Sequence, residues 1–283
     1  MAMRGQPLDD RLSERNFDVL AGYIYNYSGI KMPHTKMTML EGRLRRRLRV
    51  TGMPTFDSYC DYLFKQGGIE AESIFLIDAV TTNKTDFFRE PKHFEYMTKA
   101  ALPDILRNFN ERRIRTWSSA CSTGAEPYTM AMVLSDYLGA NAPERDYFVL
   151  ATDLSTDVLQ KAQRGIYQSE LLQPVSSEMM RKYVMRASDA RRQEMRIAPK
   201  LRSHVGFARL NLMDDAYPIG DSMHIIFCRN VLIYFDKPTQ SHVLTRLCDR
   251  LMPGGYLFIG HSETVTGFDL PIRQVANTIF RRV

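Results

Sequence analysis

The residues best suited by type to do chemistry lie in the stretch Ser118-Ser-Ala-Cys-Ser-Thr-Gly-Ala-Glu-Pro-Tyr128. Its small side chains let a ligand approach the backbone closely. With one glycine it is not GxGxxG, and the tight cradle that a pyrophosphate needs at a helix N-terminus is missing. The stretch instead carries Glu126, whose carboxylate would repel phosphate and suits a cationic ligand group, such as an amino group or a sulfonium. The same carboxylate also suits the positive end of a helix dipole. A second acid, Asp153, closes Ala151-Thr152-Asp153. At a strand end it can accept hydrogen bonds from both hydroxyls of a ribose, or cap a helix, although Ser155 or Asp157 could cap instead. Small-residue turn, strand-end acid and no phosphate cradle together favour an adenosyl ligand without phosphate over a dinucleotide.

These residues need a frame. From about Arg113 strands alternate with helices: RIRTWSSA, a helix from Pro127 to Leu138, YFVLATD, a helix from Ser155 to Arg164, HIIFCRN, a helix over DKPTQSHVLTRLCDRLM, and GGYLFIGH. A terminal pair follows near IRQVA and TIFRRV. This alternation predicts an α/β, mostly parallel, doubly wound sheet, with a ligand beyond the strand carboxyl ends at the first strand–helix turn. Between Gly165 and about Val205 the alternation lapses. There Met179 to Arg186 reads as helical and the short segment from Arg191 through Glu194-Met-Arg-Ile as basic, so an inserted subdomain is expected.

The first eighty residues carry only helical patterns: Phe17 to Ile30, a helix from Met37 ended by Thr51-Gly52-Met53-Pro54, Phe56 to Phe64, and Ile69 to Val80. On the second helix Met37, Leu40, Leu44 and Leu48 form one stripe, and five arginines (Arg43, Arg45, Arg46, Arg47, Arg49) fan around the other side. Residues 31–52 hold seven Lys/Arg against the single acid Glu41, in a chain whose formal net charge is +6. A charged face is commonly just solvated. Without interleaved acids, however, these arginines are expected to repel one another and to seek an anionic partner.

Composition excludes several classes. With 44% hydrophobic and 25% charged residues the 283-residue chain is an ordinary globular protein with room for two domains. The opening MAMRGQPLDDRLSER lacks a signal-peptide core, and no apolar run approaches the ~18 residues of a membrane span, so a cytoplasmic protein without membrane insertion is expected. Cys60, Cys121, Cys228 and Cys248 show no CxxC spacing, the histidines are dispersed and no HExxH occurs, which argues against a metal or disulfides.

Over essentially its whole length the sequence resembles the CheR family of chemotaxis receptor methyltransferases. The resemblance is carried by Thr81-Thr-Asn-Lys-Thr-Asp-Phe-Phe-Arg-Glu90, WSSACSTGAEPY, ATDLSTDVLQKA, Gly165-Ile-Tyr, Asn211-Leu212, FCRNVLIYFDKPTQ and LMPGGYLFIGHSE, in that order. It implies a class I S-adenosylmethionine-dependent methyltransferase fold with a small inserted β-subdomain, preceded by an all-α domain. The expected bounds are 1–80 for the helical domain, 81–112 for an interdomain segment contributing to the cofactor site, and 113–283 for the methyltransferase domain, with the insertion at about 166–205. The implied cofactor is S-adenosylmethionine, with S-adenosylhomocysteine as product and no metal. Carried over position by position, Asn83, Thr85 and Arg89 close over the cofactor, with Arg89 near the transfer point. Glu126 takes the methionine amino group and Asp153 the ribose. Asn211 and Leu212 frame the adenine, while Arg229 and Asn230 complete the pocket floor. Tyr234 lies next to the departing methyl, and with Arg89 makes the implied catalytic pair. Arg43, Arg46, Arg47 and Arg49 are the implied contacts to glutamate-bearing receptor helices.

The implied activity is esterification of receptor glutamates by a cytoplasmic enzyme recruited to membrane receptor arrays, with a regulatory protein as a further partner. The alternatives are a cofactor-binding scaffold without activity, or a methyltransferase for another substrate such as nucleic acid. Against nucleic acid, the basic patch is compact and no Asn/Asp-Pro-Pro-aromatic signature occurs. One departure stands out: family members that tether to a receptor's C-terminal pentapeptide carry a glycine-punctuated stretch, whereas Ala187–Met195 here has no glycine and carries the pair Arg191-Arg192.

Overall fold

A computed structural model describes residues 10–189 and 191–283, so most of the opening stretch and Ala190 lie outside the described residues. The chain forms two compact units, one running through Thr82 and including Tyr234–Asp236, the other comprising Asn83–Ile233 and Lys237–Val283.

The first unit is helical. Helix α1 (Glu14–Ser28) starts three residues before Phe17 because the Ser13 hydroxyl accepts from the Asn16 amide at 3.3 Å, and it ends at Gly29, whose φ of 72° stops the helix. Helix α2 (Met37–Thr51) ends in the same way at Gly52. Helix α3 (Phe56–Lys65) opens with a reciprocal Thr55–Ser58 capping box, and α4 (Ile69–Val80) completes the unit. Leu40, Leu44 and Leu48 are fully buried against α4 and its neighbours, each contributing ~1.5–3 kcal/mol of burial, whereas Met37 is half-buried.

The second unit opens with α5 (Pro91–Tyr96), which passes through a π-helical turn at Met97–Ala101 into α6 (Leu102–Asn108). The spacing of Phe94, Met97, Ala101, Leu102 and Ile105 turns one apolar face into the core. There follow β1 (Arg113–Ser119), α7 (Ala125–Asn141), β2 (Asp146–Asp153), α8 (Thr156–Arg164), β3 (Ile166–Gln168), α9 (Ser177–Tyr183), β4 (Val184–Arg186), β5 (Glu194–Ile197), α10 (Pro199–Arg202) and β6 (Val205–Arg209). The chain closes with β7 (Met223–Cys228), α11 (Lys237–Arg250), β8 (Leu251–Ile259), β9 (Ile272–Ala276) and β10 (Ile279–Arg282).

Seven strands make one sheet in the order β6-β2-β1-β7-β8-β10-β9, parallel except where β10 runs antiparallel to β8 and β9. All six residues of β7 are buried, as expected of a strand covered on both faces. From β1 the chain builds outward through β2 to β6, then returns to lay β7 on the other side of β1. The crevice at this switch point is where a doubly wound sheet binds ligands.

The lapse in alternation corresponds to a three-stranded antiparallel sheet, β3-β5-β4. One expectation fails here: the helix expected over Met179–Arg186 stops at Tyr183. Val184–Arg186 instead pair with Ile197–Met195, because strand pairing supplies backbone partners that one further helical turn would have left to solvent. The β6 strand, which the sequence pattern does not mark, pairs with β2 and ends at the Asp153 register.

Candidate active site

The loop between β1 and α7 is strained and tied down. Ala120 and Ser122 sit at φ of 59° and 52°, and Gly124 at 92°. A Cβ at Gly124 would lie 2.8 Å from the Ala162 Cβ and 2.9 Å from the Tyr167 hydroxyl, so only glycine fits. The Ser122 amide donates to Asp153 Oδ2 at 2.7 Å, and the Ser155 amide to Oδ1 at 2.9 Å. Ser155, not Asp153, caps α8, its hydroxyl accepting from the Val158 amide. The Ser122 hydroxyl in turn donates to the carbonyl of Asn83 at 2.8 Å, which fixes the start of the Asn83–Glu90 segment over the loop.

Helix α7 begins two residues before Pro127, so Glu126 stands in its first turn and is buried. Ser118 donates to its Oε1 at 2.6 Å and Arg229 Nε to its Oε2 at 2.7 Å. Arg229 follows β7, the neighbour of β1, and its side chain is 2% exposed. Its Nη1 also donates to the carbonyl of Arg89 at 2.8 Å and lies 3.4 Å from Glu90 Oε2. Two carboxylates thus share one buried guanidinium. Burial alone would raise the Glu90 carboxyl, but the His261 amide, Arg229 and Asn230 outweigh it and hold it below the usual range.

Asn230, at φ 58°, is held from both sides. Its Nδ2 donates to Glu90 Oε1 at 3.2 Å and its amide to Glu263 Oε2 at 3.0 Å. Glu263 also accepts from the Leu232 and Gly260 amides, and burial nonetheless raises its carboxyl. Of the six non-glycine residues with positive φ among the described residues, Phe88, Glu90, Ala120, Ser122 and Asn230 lie in these three segments. Each such conformation costs ~1–3 kcal/mol, and its concentration around one crevice marks a functional site.

The remaining positions fall as follows. Asn211 and Leu212 come just after β6, where the Leu210 amide donates to the carbonyl of Asp153. Asn211 Oδ1 accepts from the Met213 amide at 3.1 Å, and Leu212 is buried with its carbonyl accepting from Tyr217. Thr85 is half-buried. The Arg89 side chain is half-buried and, among the described residues, donates to the carbonyl of Lys84 at 3.2 Å. Tyr234 closes a 3-10 turn at Leu232–Tyr234 and groups with the helical unit, where its carbonyl accepts from the Lys31 amide and its half-buried ring lies 5.8 Å from the Lys36 ammonium.

The arginine face of α2 differs from the expectation of mutually repelling, unpaired cations. Arg45 pairs with Glu41 one turn back, Arg47 makes two hydrogen bonds to Glu72 on α4, and Arg43 donates to the carbonyls of Val80 and Thr81 and to the Thr82 hydroxyl. The compensating acids come from the preceding turn and from another helix. Arg46 and Arg49 remain exposed.

Glu90, His93 and His261 offer ligand atoms within 4.8 Å of one another. The Arg229 guanidinium already stands 3.2 Å from His93 Nδ1, so the chemistry of this group opposes a metal ion. His93 and Glu263 carry no spacing signal in the sequence; their partners lie up to 185 residues away. Pro91 at a helix start followed by apolar residues at three and four spacing is the one pattern that marks the helix bearing His93.

Residues 83–280 match the family described as "CheR methyltransferase, SAM binding domain", and residues 15–81 "CheR methyltransferase, all-alpha domain". The chain belongs to the CheR methyltransferase family. It is similar to the chemotaxis protein methyltransferases of Borreliella burgdorferi (37% identical; 92% of each chain), Escherichia coli K12 (38%; 95% of this chain, 91% of the relative) and Salmonella typhimurium (40%; 89% and 84%). The CheR-family fold is therefore an all-α domain followed by a methyltransferase domain that binds S-adenosylmethionine, the cofactor. The residues fit that cofactor: a carboxylate in the first turn of the helix after β1, a second at the end of β2, a small-residue turn and no phosphate cradle. No helix among the described residues is long and apolar enough to cross a membrane.

Proposed function

We propose that this protein transfers a methyl group from S-adenosylmethionine to glutamate side-chain carboxylates of methyl-accepting chemotaxis receptors, giving methyl esters in sensory adaptation. The observation that carries this reading is the linked pair of acids at the switch point: Glu126 held by Ser118 and Arg229, and Asp153 held by the Ser122 and Ser155 amides. A carboxylate has about four acceptor positions. Glu126 therefore retains acceptor capacity for the amino group of the methionine moiety, and Asp153 is assigned to the ribose hydroxyls. Asn211 and Leu212 frame the adenine. Asn83, Thr85 and Arg89 cover the cofactor, and Arg229 with Asn230 completes the floor.

Bound S-adenosylmethionine supplies an electrophilic methyl carried on sulfur, accepted by a substrate carboxylate oxygen as S-adenosylhomocysteine is released. A glutamate with an ordinary pKa of ~4.3 is already ionised at neutral pH, so the protein needs no general base. Its task is alignment, which is worth up to ~7–11 kcal/mol in ideal cases. Arg89 and Tyr234 are assigned to orienting the incoming carboxylate. Arg89 must hold it loosely, since binding the ground state and the transition state equally does not raise turnover. Arg89 donates to the neutral carbonyl of Lys84, a weak tie that suits that role.

The exposed Arg46 and Arg49 are assigned to receptor docking. Arg43 and Arg47 contribute by shaping the helix face, their guanidinium groups being already engaged. The enzyme would act from the cytoplasm, recruited to receptor arrays. Mass spectrometry of receptor cytoplasmic fragments after reaction tests the proposal. Methyl groups on glutamate carboxyls are expected, and methylation confined to lysine or arginine would contradict it.

A further inference from the structure

Arg229 is held from a second side by a group with no charge of its own. His93, on α5, is 1% exposed and its Nδ1 lies 3.2 Å from Arg229 Nη1. A guanidinium only donates, so Nδ1 is the acceptor and the ring proton resides on Nε2. There it faces the Thr278 hydroxyl oxygen at 2.9 Å, and that hydroxyl spends its own proton on the carbonyl of Asn277 at 2.8 Å. The chain of donors and acceptors therefore runs one way and fixes the tautomer. Thr278 is itself held at φ 55°, and the rings of Phe227 and Phe258 meet the imidazole edge-on.

The charged and titratable groups facing His93 are Arg229, Glu90 and His261. Burial first, and Arg229 next, push its pKa down to about 4 against the pull of Glu90, so the ring is neutral at physiological pH. A neutral acceptor satisfies one guanidinium proton without taking a share of the positive charge. Arg229 Nε is thereby left aimed at Glu126 at 2.7 Å, the shorter of its two carboxylate contacts.

We propose that His93 is a positioning residue of the cofactor site: by accepting from Arg229 it fixes that guanidinium, and through it the orientation in which Glu126 meets the α-ammonium of the cofactor. This rests on the reading that Glu126 receives the amino group. A loosened Arg229 would compete with the ligand ammonium for the same carboxylate oxygens.

The test compares the affinity of the full-length protein for S-adenosylhomocysteine and for its analogue lacking the α-amino group. The wild type is expected to prefer the amino-bearing ligand. His93→Ala is expected to weaken S-adenosylhomocysteine about tenfold or more while moving the deaminated analogue less than about threefold. His93→Gln, which keeps an acceptor and a donor, is expected to hold both within about threefold. If His93→Ala does not fold, Thr278→Val, which frees the ring, is expected to show the same selectivity at smaller size. Equal weakening of both ligands, or no weakening of either, would overturn the positioning role. A wild type indifferent to the amino group would overturn the Glu126 reading itself, a failure visible without any variant.

Discussion

In the triad of Glu126, Arg229 and Glu90 two carboxylates share one guanidinium, and the neutral His93 adds no further charge to it. Its pH response follows from two depressed groups. Folding holds His93 at about 4 against 6.5 when free, and Glu90 below its ordinary 4.5. A depressed folded-state pKa means that the unfolded chain binds the proton first, so stability is present above the unfolded value and falls with pH. For His93 the loss runs from about 6.5 down to about 4. Urea midpoints of the wild type should fall across that window more steeply than those of His93→Gln; parallel curves would contradict the assignment. Glu126 and Asp153 were legible in the sequence because each stands beside a turn or a strand end whose pattern is local. Their partners were not: nothing near His93 in the chain announces Thr278 or Arg229, and only the folded sheet joins them.

At the level of elements, α2 shows how a charge count misleads. Arg46 and Arg47 are neighbours in sequence, yet Arg47 closes a bidentate pair with Glu72, which is 4% exposed, while Arg46 is exposed. Arg47→Ala strands a buried carboxylate and should cost the protein on the order of 3 kcal/mol, whereas Arg46→Ala should change stability by less than ~0.5 kcal/mol. Chemical denaturation separates them, and equal costs would contradict the pairing. The leucine stripe of α2 and the buried strands β1 and β7 could be read from periodicity, because each exposes its environment in its own spacing. The boundary between α9 and β4 could not, since Val184–Arg186 take strand form only once β5 lies alongside.

At the scale of the whole molecule, the proposed cofactor binding and receptor docking fall to different residues. Charge reversal of Arg46 and Arg49 together should reduce receptor methylation several-fold, most at low ionic strength, and leave affinity for S-adenosylhomocysteine unchanged. Loss of both would point to misfolding. The mostly parallel sheet and a ligand crevice at its first strand–helix turn follow from strand–helix alternation, whereas the strand order, with the unmarked β6 at one edge, does not. Where the units begin is set by packing that spacing does not express, as the grouping of Tyr234–Asp236 with the helical unit illustrates. Carboxyl methyl ester formation is the reaction proposed for this CheR-family methyltransferase. Its most direct test supplies methyl-labelled S-adenosylmethionine and receptor-bearing membranes, then treats the product with mild alkali. Release of the label as volatile methanol is the expected result. Label that stays on the protein through alkali, or that never transfers although the cofactor binds, would contradict it.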